Sequence, residues 1–428
     1  MAPAATARSA PRPVSQGRWD TVTTSYYLII GSTGLLLLLG LIMVLSASAP
    51  TQVAASASPY GLFFRQSAYA AIGLVGLVVA SRLPVAFYRR SAPVLLLAAL
   101  FLQALTLTGF GHSVNGNSGW LNLGGVTVQP AEILKLALAL WLGAVLGRKR
   151  ALLGQWRHVL VPAAPVVVIA LGLVLGGNDL GTTIVLCLVV AAAFIVSGAE
   201  WKLLTMGGVL AAVGMVGLFV VGNSNRTDRI SAVYGACADA VRGQVSSADA
   251  ADACYQSVHG MWGLATGGLL GVGLGSSREK WSYLPAAVND FIYSVLGEEF
   301  GLFGTLVVLA LFGVLGFAMA RVVMRHPDPF VKVATAGISA WIVGQAIINI
   351  CVVVGLLPVI GVPLPLMSAG GSALIATLLA IGVVLAFARD EPGAREALAA
   401  RPHVIRRTFS VVAGATRRVP LRRGGSAK

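Results

Sequence analysis

Ten apolar runs, each long enough to cross a bilayer as a helix, dominate the chain, and no water-soluble core can hide so many. The runs lie at 26–48, 64–81, 92–109, 131–147, 159–176, 180–197, 202–222, 291–320, 332–355 and 372–388; a spanning helix needs about 17 to 25 residues. With 57% hydrophobic and 11% charged residues, the predicted class is an all-α polytopic membrane protein. Uninterrupted runs of this kind exclude a transmembrane β-barrel, whose strands alternate in polarity. The 51 glycines suit helices that must pack closely in lipid, where association relies on small residues.

The first run ends in Ser46-Ala-Ser-Ala49, small residues of the kind found at signal cleavage sites, but the apolar stretch from Leu28 to Leu45 is too long for a signal sequence. The expected organisation is a disordered N-terminal tail over 1–25, a ten-span membrane domain over 26–388 and a basic tail over 389–428. When the spans alternate from a cytoplasmic N terminus, most of the 31 Lys and Arg residues fall on the cytoplasmic side, as the positive-inside rule requires. Both termini are then cytoplasmic. The net charge of +15 follows from this bias and from a tail lying against anionic lipid, and requires no nucleic acid.

Three outer loops differ in kind. The segment Phe110 to Pro130 has no Lys or Arg and reads as a turn-rich surface around Trp120. The segment Gly355 to Gly371 has three prolines and no charge, which predicts a loop folded against the outer face. The largest, about 223–290, holds most of the outer charge and two of the four cysteines, Cys237 and Cys254. An oxidising exterior permits a disulfide between them, worth about 3 kcal/mol in the entropy model; two free thiols are the alternative. No cysteine spacing resembles a zinc site, and the five histidines are scattered.

Charges within or bordering spans are costly and therefore informative. Glu132 and Lys135 stand three apart on one helix face, where they form either a neutralising pair or part of a polar site. Asp179 begins a span, as a helix cap or as a second carboxylate at similar depth. Gly271-Val-Gly-Leu-Gly275 lacks the spacing and preceding strand of a phosphate loop. Asp290 immediately precedes the apolar run at Phe291, again as a cap or a functional group. Lys280, with Arg226 and Arg229, supplies outer-side positive charge.

Five stretches appear in order: Gly119-Trp-Leu-Asn-Leu-Gly-Gly-Val-Thr-Val-Gln-Pro-Ala-Glu-Ile-Leu-Lys135, Asp179-Leu-Gly-Thr182, Gly271-Val-Gly-Leu-Gly-Ser-Ser-Arg-Glu-Lys-Trp281, Asp290-Phe-Ile-Tyr-Ser-Val-Leu-Gly-Glu-Glu-Phe-Gly301 and Pro363-Leu-Pro-Leu-Met-Ser-Ala-Gly-Gly371. Together they resemble the SEDS family of shape, elongation, division and sporulation proteins, over roughly 26–388, and the division branch more than the elongation branch. The resemblance implies a peptidoglycan glycosyltransferase of the bacterial cytoplasmic membrane that polymerises lipid II at the outer face during division. It also implies a class B penicillin-binding protein and other divisome proteins as partners. By motif, Asp290 matches the family's essential aspartate, Glu132, Lys135 and Asp179 match its cavity, and Trp120 matches a sensitive loop position. The chain departs from the family where Pro-Glu-Ala-His-Thr-Asp becomes Pro285-Ala-Ala-Val-Asn-Asp290.

The implied chemistry suits these residue types. A sugar hydroxyl attacks an anomeric carbon, a carboxylate such as Asp290 takes its proton, and the leaving lipid pyrophosphate calls for cations. Those could be Arg226, Arg229, Lys280 and Lys135 or a divalent ion such as magnesium or manganese; no organic cofactor is expected. A lipid II flippase and a non-catalytic division scaffold are the competing classes. No inverted repeat is evident, and the charged candidates cluster on one side.

Overall fold

The structure, a computed structural model, describes residues 23–114, 117–124, 126–149, 156–199 and 248–400, with isolated positions between 202 and 214. Its helices are α1 Thr24–Ala54, α2 Gly61–Arg82, α3 Val85–Leu105, α4 Pro130–Arg148, α5 Trp156–Gly176, α6 Leu180–Ser197, α7 Ala248–Gly267, α8 Ile292–Arg325, α9 Pro329–Val353, α10 Gly371–Arg389 and α11 Ala394–Ala400. Eight of them, α1 to α4, α6 and α8 to α10, are long and apolar enough to cross a membrane; α5 contributes a shorter apolar stretch, Ala163–Gly176. The expected seventh span at 202–222 falls almost wholly outside the described residues, as do the segments 1–22 and 401–428 of the two expected tails.

Helix starts follow local chemistry. Pro130 and Pro329 open α4 and α9, where a missing N–H costs nothing. The Asp328 carboxylate accepts from Phe330 N at 3.0 Å and caps α9. The centre of the bundle is α4, α9 and α10: 78% of the α4 span and 72% of the α10 span are buried, against 17% for peripheral α2. Small residues let α4 and α9 close up. A Cβ added at Gly337 would sit 3.0 Å from that of Ala139, and one at Gly143 would sit 2.9 Å from the Phe330 carbonyl oxygen.

Two elements depart from the expected loops. The 110–130 segment forms an antiparallel sheet of β1 Gly111–Val114, β2 Asn117–Leu123 and β3 Val126–Val128, in that order. Its register pairs His112 with Trp120 and Asn122 with Thr127. Within the outer loop, α7 packs on the start of α8, where Ser294 Oγ donates to the Gly260 carbonyl at 2.6 Å.

The run expected as one continuous helix at 291–320 is broken. Gly301 takes φ 67° and ψ −164° inside α8, so the i→i−4 bonds of Leu302 and Phe303 are lost. The segment 268–273 replaces them. Leu302 N donates to Gly268 O at 2.9 Å and Phe303 N to Leu269 O at 3.2 Å; in return Val272 N donates to Glu298 O at 2.9 Å and Gly273 N to Glu299 O at 3.1 Å. Four backbone groups at the break thus find partners, as a low-dielectric setting demands. The glycine run therefore serves the backbone. A Cβ on Gly271 would lie 2.2 Å from Glu299 O, and one on Gly301 would lie 2.4 Å from Gly271 N.

At the other end of the bundle the basic helix termini are tied together. Arg89 pairs with Asp328, Arg389 Nη1 donates to Ser81 O at 2.7 Å, and Arg325 Nε lies 3.9 Å from Glu391.

Replacing Gly301 with Ala combines positive-φ strain with a backbone collision and is expected to cost about 2 kcal/mol or more. Thermal unfolding in detergent checks this; a melting temperature equal to that of the unmodified chain would show that the break tolerates a side chain.

Candidate active site

Five of the eight residues singled out as functional line one cavity, of about 140 Å3: Trp120, Glu132, Lys135, Asp179 and Asp290, joined by Gln345. It lies among the N-terminal ends of α4, α6 and α8, roofed by the β-sheet and the 361–370 loop. Glu132 and Lys135 occupy the first turns of α4, 3% and 1% exposed. Lys135 Nζ donates to Glu132 Oε1 at 2.9 Å and to Gln345 Oε1 at 3.0 Å, and sits 4.7 Å from the Trp341 ring centre. A cation this deep is held by every favourable contact at once.

Asp179 is both a cap and a member of the cavity. Its carboxylate accepts from Thr182 N at 2.9 Å, Thr182 Oγ1 at 2.7 Å and Gln129 Nε2 at 2.9 Å. Asn178, at φ 62°, turns the chain into this position, and Ser118 N donating to Gly177 O at 2.9 Å ties the turn to β2.

Asp290 is different. The N-cap of α8 is Phe291, so the carboxylate of Asp290 does not serve the helix, and no hydrogen bond or ion pair to it occurs among the described residues. Burial, and secondarily the charge of Asp179, push its pKa up to about 6. A carboxylate poised so near neutrality can take and hold a proton.

Lys280 is not in this cavity. It is 3% exposed and its Nζ donates to Glu299 Oε1 at 2.8 Å and to Ser46 Oγ at 3.0 Å, so its charge is paired away from the cavity where a substrate cation was expected. Its partner Glu299 also accepts from Ser46 Oγ at 2.6 Å, joining α1, α8 and the loop. Glu298 accepts from Arg278 N at 3.0 Å and from Ser277 Oγ. The two glutamates hold the loop that leads to Asp290. Arg226, Arg229 and Cys237 lie outside the described residues. Cys254 is buried and disulfide-bonded, while Cys187 and Cys351 are free thiols.

Gln345 and Asn349 are not singled out in the sequence, and Ser368 enters there only as part of the 363–371 stretch. Gln345 Nε2 donates to Pro363 O at 2.8 Å and its Oε1 accepts from Trp341 Nε1 at 3.0 Å. Ser368 Oγ donates to Asn289 O at 2.6 Å. The available signal was spacing: Trp341, Gln345 and Asn349 recur every four residues, one stripe of hydrogen-bonding groups on an otherwise apolar helix.

Among the described residues no group of three or more His, Cys, Asp or Glu is arranged to hold a metal ion. Asp179 accepts three hydrogen bonds and Glu132 is paired with Lys135, which leaves Asp290 as the cavity carboxylate without a partner among these residues.

These features define a polytopic helical membrane protein with an acidic cavity at one end of its bundle. The cell cycle protein family that takes in FtsW, RodA and SpoVE matches residues 26–392, and the chain belongs to it. A Mycobacterium tuberculosis relative named "Probable peptidoglycan glycosyltransferase FtsW" is 37% identical over 378 residues, covering 88% of this chain and 70% of that one. Stage V sporulation protein E of Bacillus subtilis is 33% identical, covering 86% and 98%. Among solved structures, a chain described under "Structural coordination of polymerization and crosslinking by a peptidoglycan synthase complex" aligns with a TM-score of 0.68 at 26% identity, covering 85% of this chain and 97% of that one. The rod shape determining protein RodA of Thermus thermophilus aligns at 0.62 and 26%, covering 89% and 99%.

Replacing Lys280 with Met strands Glu299 as a buried unpaired charge and is expected to cost about 3–5 kcal/mol. Thermal unfolding of Lys280→Met beside the double variant Lys280→Met/Glu299→Leu checks this, with the double variant recovering most of the loss. Normal stability with a raised KM would instead restore Lys280 as a substrate-binding cation.

Proposed function

We propose that the chain is a peptidoglycan glycosyltransferase that polymerises lipid II, with Asp290 as general base. The observation that carries this reading is a carboxylate of pKa about 6 that has no hydrogen-bond or ion-pair partner among the described residues, inside a cavity whose other acids, Glu132 and Asp179, are paired or hydrogen-bonded. Asp290 takes the proton from the attacking sugar hydroxyl. The new glycosidic bond forms at the anomeric carbon of the second lipid-linked disaccharide, and its bond to phosphate breaks, leaving the electron pair on the lipid pyrophosphate. Burial, with the charge of Asp179 second, keeps the pKa of Asp290 close to neutrality, so that the base is matched to the working pH. Lys135 is bound to Glu132 and Gln345 and acts as a fixed dipole in the wall, which leaves the pyrophosphate charge to Arg226, Arg229 or a divalent ion, magnesium or manganese, that arrives on the substrate. Trp120 offers an aromatic face to a sugar ring at the cavity edge.

The basic helix ends face the cytoplasm and the cavity opens on the outer face, which follows from the positive-inside rule and gives cytoplasmic N and C termini. The division role at the septum rests on kinship with FtsW. A class B penicillin-binding protein would receive the glycan strands and cross-link them, a reading supported by the described subject of the solved complex that this chain resembles.

Purified protein supplied with lipid II, with and without the class B partner, tests the activity. Asp290→Asn is expected to lower the polymerisation rate by about 10² to 10⁴ fold, measured as glycan strand formation on gels. Absence of polymer from the unmodified protein in both conditions would sink the reading and favour a flippase or a scaffold.

The pH profile provides an independent check. A base works only when deprotonated, so the rate should rise with pH through an acid limb near 6 and level off above it. Asp179→Asn removes the negative charge that raises this pKa, and the limb is expected to move to lower pH. A limb that stays in place would separate Asp290 from the rate.

A further inference from the structure

Because the Asp290 carboxylate has no partner among the described residues, its location is set through its backbone. Three successive carbonyls are held. Val288 O accepts from Ala369 N at 2.9 Å, Asn289 O from Ser368 Oγ at 2.6 Å, and Asp290 O from Asn349 Nδ2 at 2.7 Å. The first two donors belong to the 361–370 loop, whereas the third stands on the central helix α9. Asn349 is 1% exposed, and its Nδ2 also donates to Val362 O at 2.8 Å. One amide thus spends its two hydrogens on two separate segments that both border the cavity.

We propose that Asn349 is a positioning residue for the glycosyl transfer, fixing the backbone of Asp290 so that its carboxylate stays in the cavity opposite Asp179. This inference rests on the reading of Asp290 as the base. Few side chains could do the same work from this site. A hydroxyl has one hydrogen to give, an ionised Asp has none, and an apolar group leaves two buried carbonyls unpaired. Gln345, one turn earlier, serves Pro363 O in the same manner while receiving Lys135. The two amides carry the register of α9 to both halves of the cavity. Charged groups facing Asp290 are Asp179 on α6 and the Glu132 and Lys135 pair on α4, and freeing the Asp290 backbone would carry its carboxylate away from them toward water.

The test compares Asn349→Leu, Asn349→Gln, Asp290→Asn and the core control Ile342→Ala, all as full-length protein in detergent or vesicles with lipid II as the probe. Asn349→Leu is expected to lower kcat tenfold or more with KM within about twofold, and to move the acid limb of the kcat profile to lower pH. Asn349→Gln, which keeps the amide, should recover part of the rate with the limb nearer its original place. Ile342→Ala reports plain loss of packing on the same helix, and should change the yield of folded protein with the limb unmoved. An unchanged kcat and limb in Asn349→Leu, with Asp290→Asn inactive, overturns the positioning role alone. Undiminished polymerisation by Asp290→Asn overturns the functional reading and the positioning role with it.

Discussion

A lipid bilayer supplies no water to an interrupted helix, so each backbone group freed by a break must find a partner within the protein. The architecture around the cavity answers to this constraint. At Gly301 four hydrogen-bonding groups leave the ladder of α8 and are matched one for one by Gly268, Leu269, Val272 and Gly273. The exchange fixes a short helix, from Ile292 to the break, ahead of a long one. Asp290 stands at the head of that short helix. Its loop is gripped by Glu298 and Glu299 at one end and by Asn349, Ser368 and Ala369 at the other. The backbone that carries Asp290 is thus tied to helices at both ends of the loop.

Charge is treated by the same logic. Glu132 has Lys135, Glu299 has Lys280, and Asp179 has three donors. Breaking such a buried pair costs far more than forming it contributes, so these groups are locked in place and their chemistry is spent. Among the described residues, Asp290 is the one cavity acid with no such partner. The contrast separates the residues that build the site from the one free to exchange a proton, and it depends on partners rather than on residue type.

Much of this was legible in the sequence, because the penalty for charge in lipid makes Glu132, Lys135, Asp179 and Asp290 conspicuous. Apolar runs gave the helices for a similar reason. The failures have physical causes too. Lys280 looks like a free surface cation because its partner, Glu299, lies 19 residues away and beyond a fold that local reading does not see. The break at Gly301 is hidden inside a continuous apolar run, since a glycine at positive φ has the same hydropathy as one in a helix. Helix α7 lies in a polar Ala, Ser and Asp stretch whose composition suggests a loop, and the sheet at 111–128 is too rich in Gly, Asn and Ser to show strong alternation. Asn349 and Gln345 are neutral, so they raise no alarm in a span, and their role appears only when the carbonyls they serve are brought near.

The departures at 285–290 fit the same view. Where the family resemblance leads one to expect Glu and His, this chain has Ala286 at φ 56° and Val288, whose carbonyl is held by Ala369. A left-handed Ala carries strain of about 1 kcal/mol or more that must be offset by the surrounding bonds. The carbonyls of 288–290 are all held by donors from outside the loop, which fixes this stretch without a polar side chain at 286 or 288. The electrostatic work that a Glu or His beside Asp290 could do falls instead to Asp179, across the cavity on α6. The basicity of Asp290 is raised first by its burial in the cavity and second by the charge of Asp179 on α6, so a change in how α6 packs beside the cavity would alter the group without touching it.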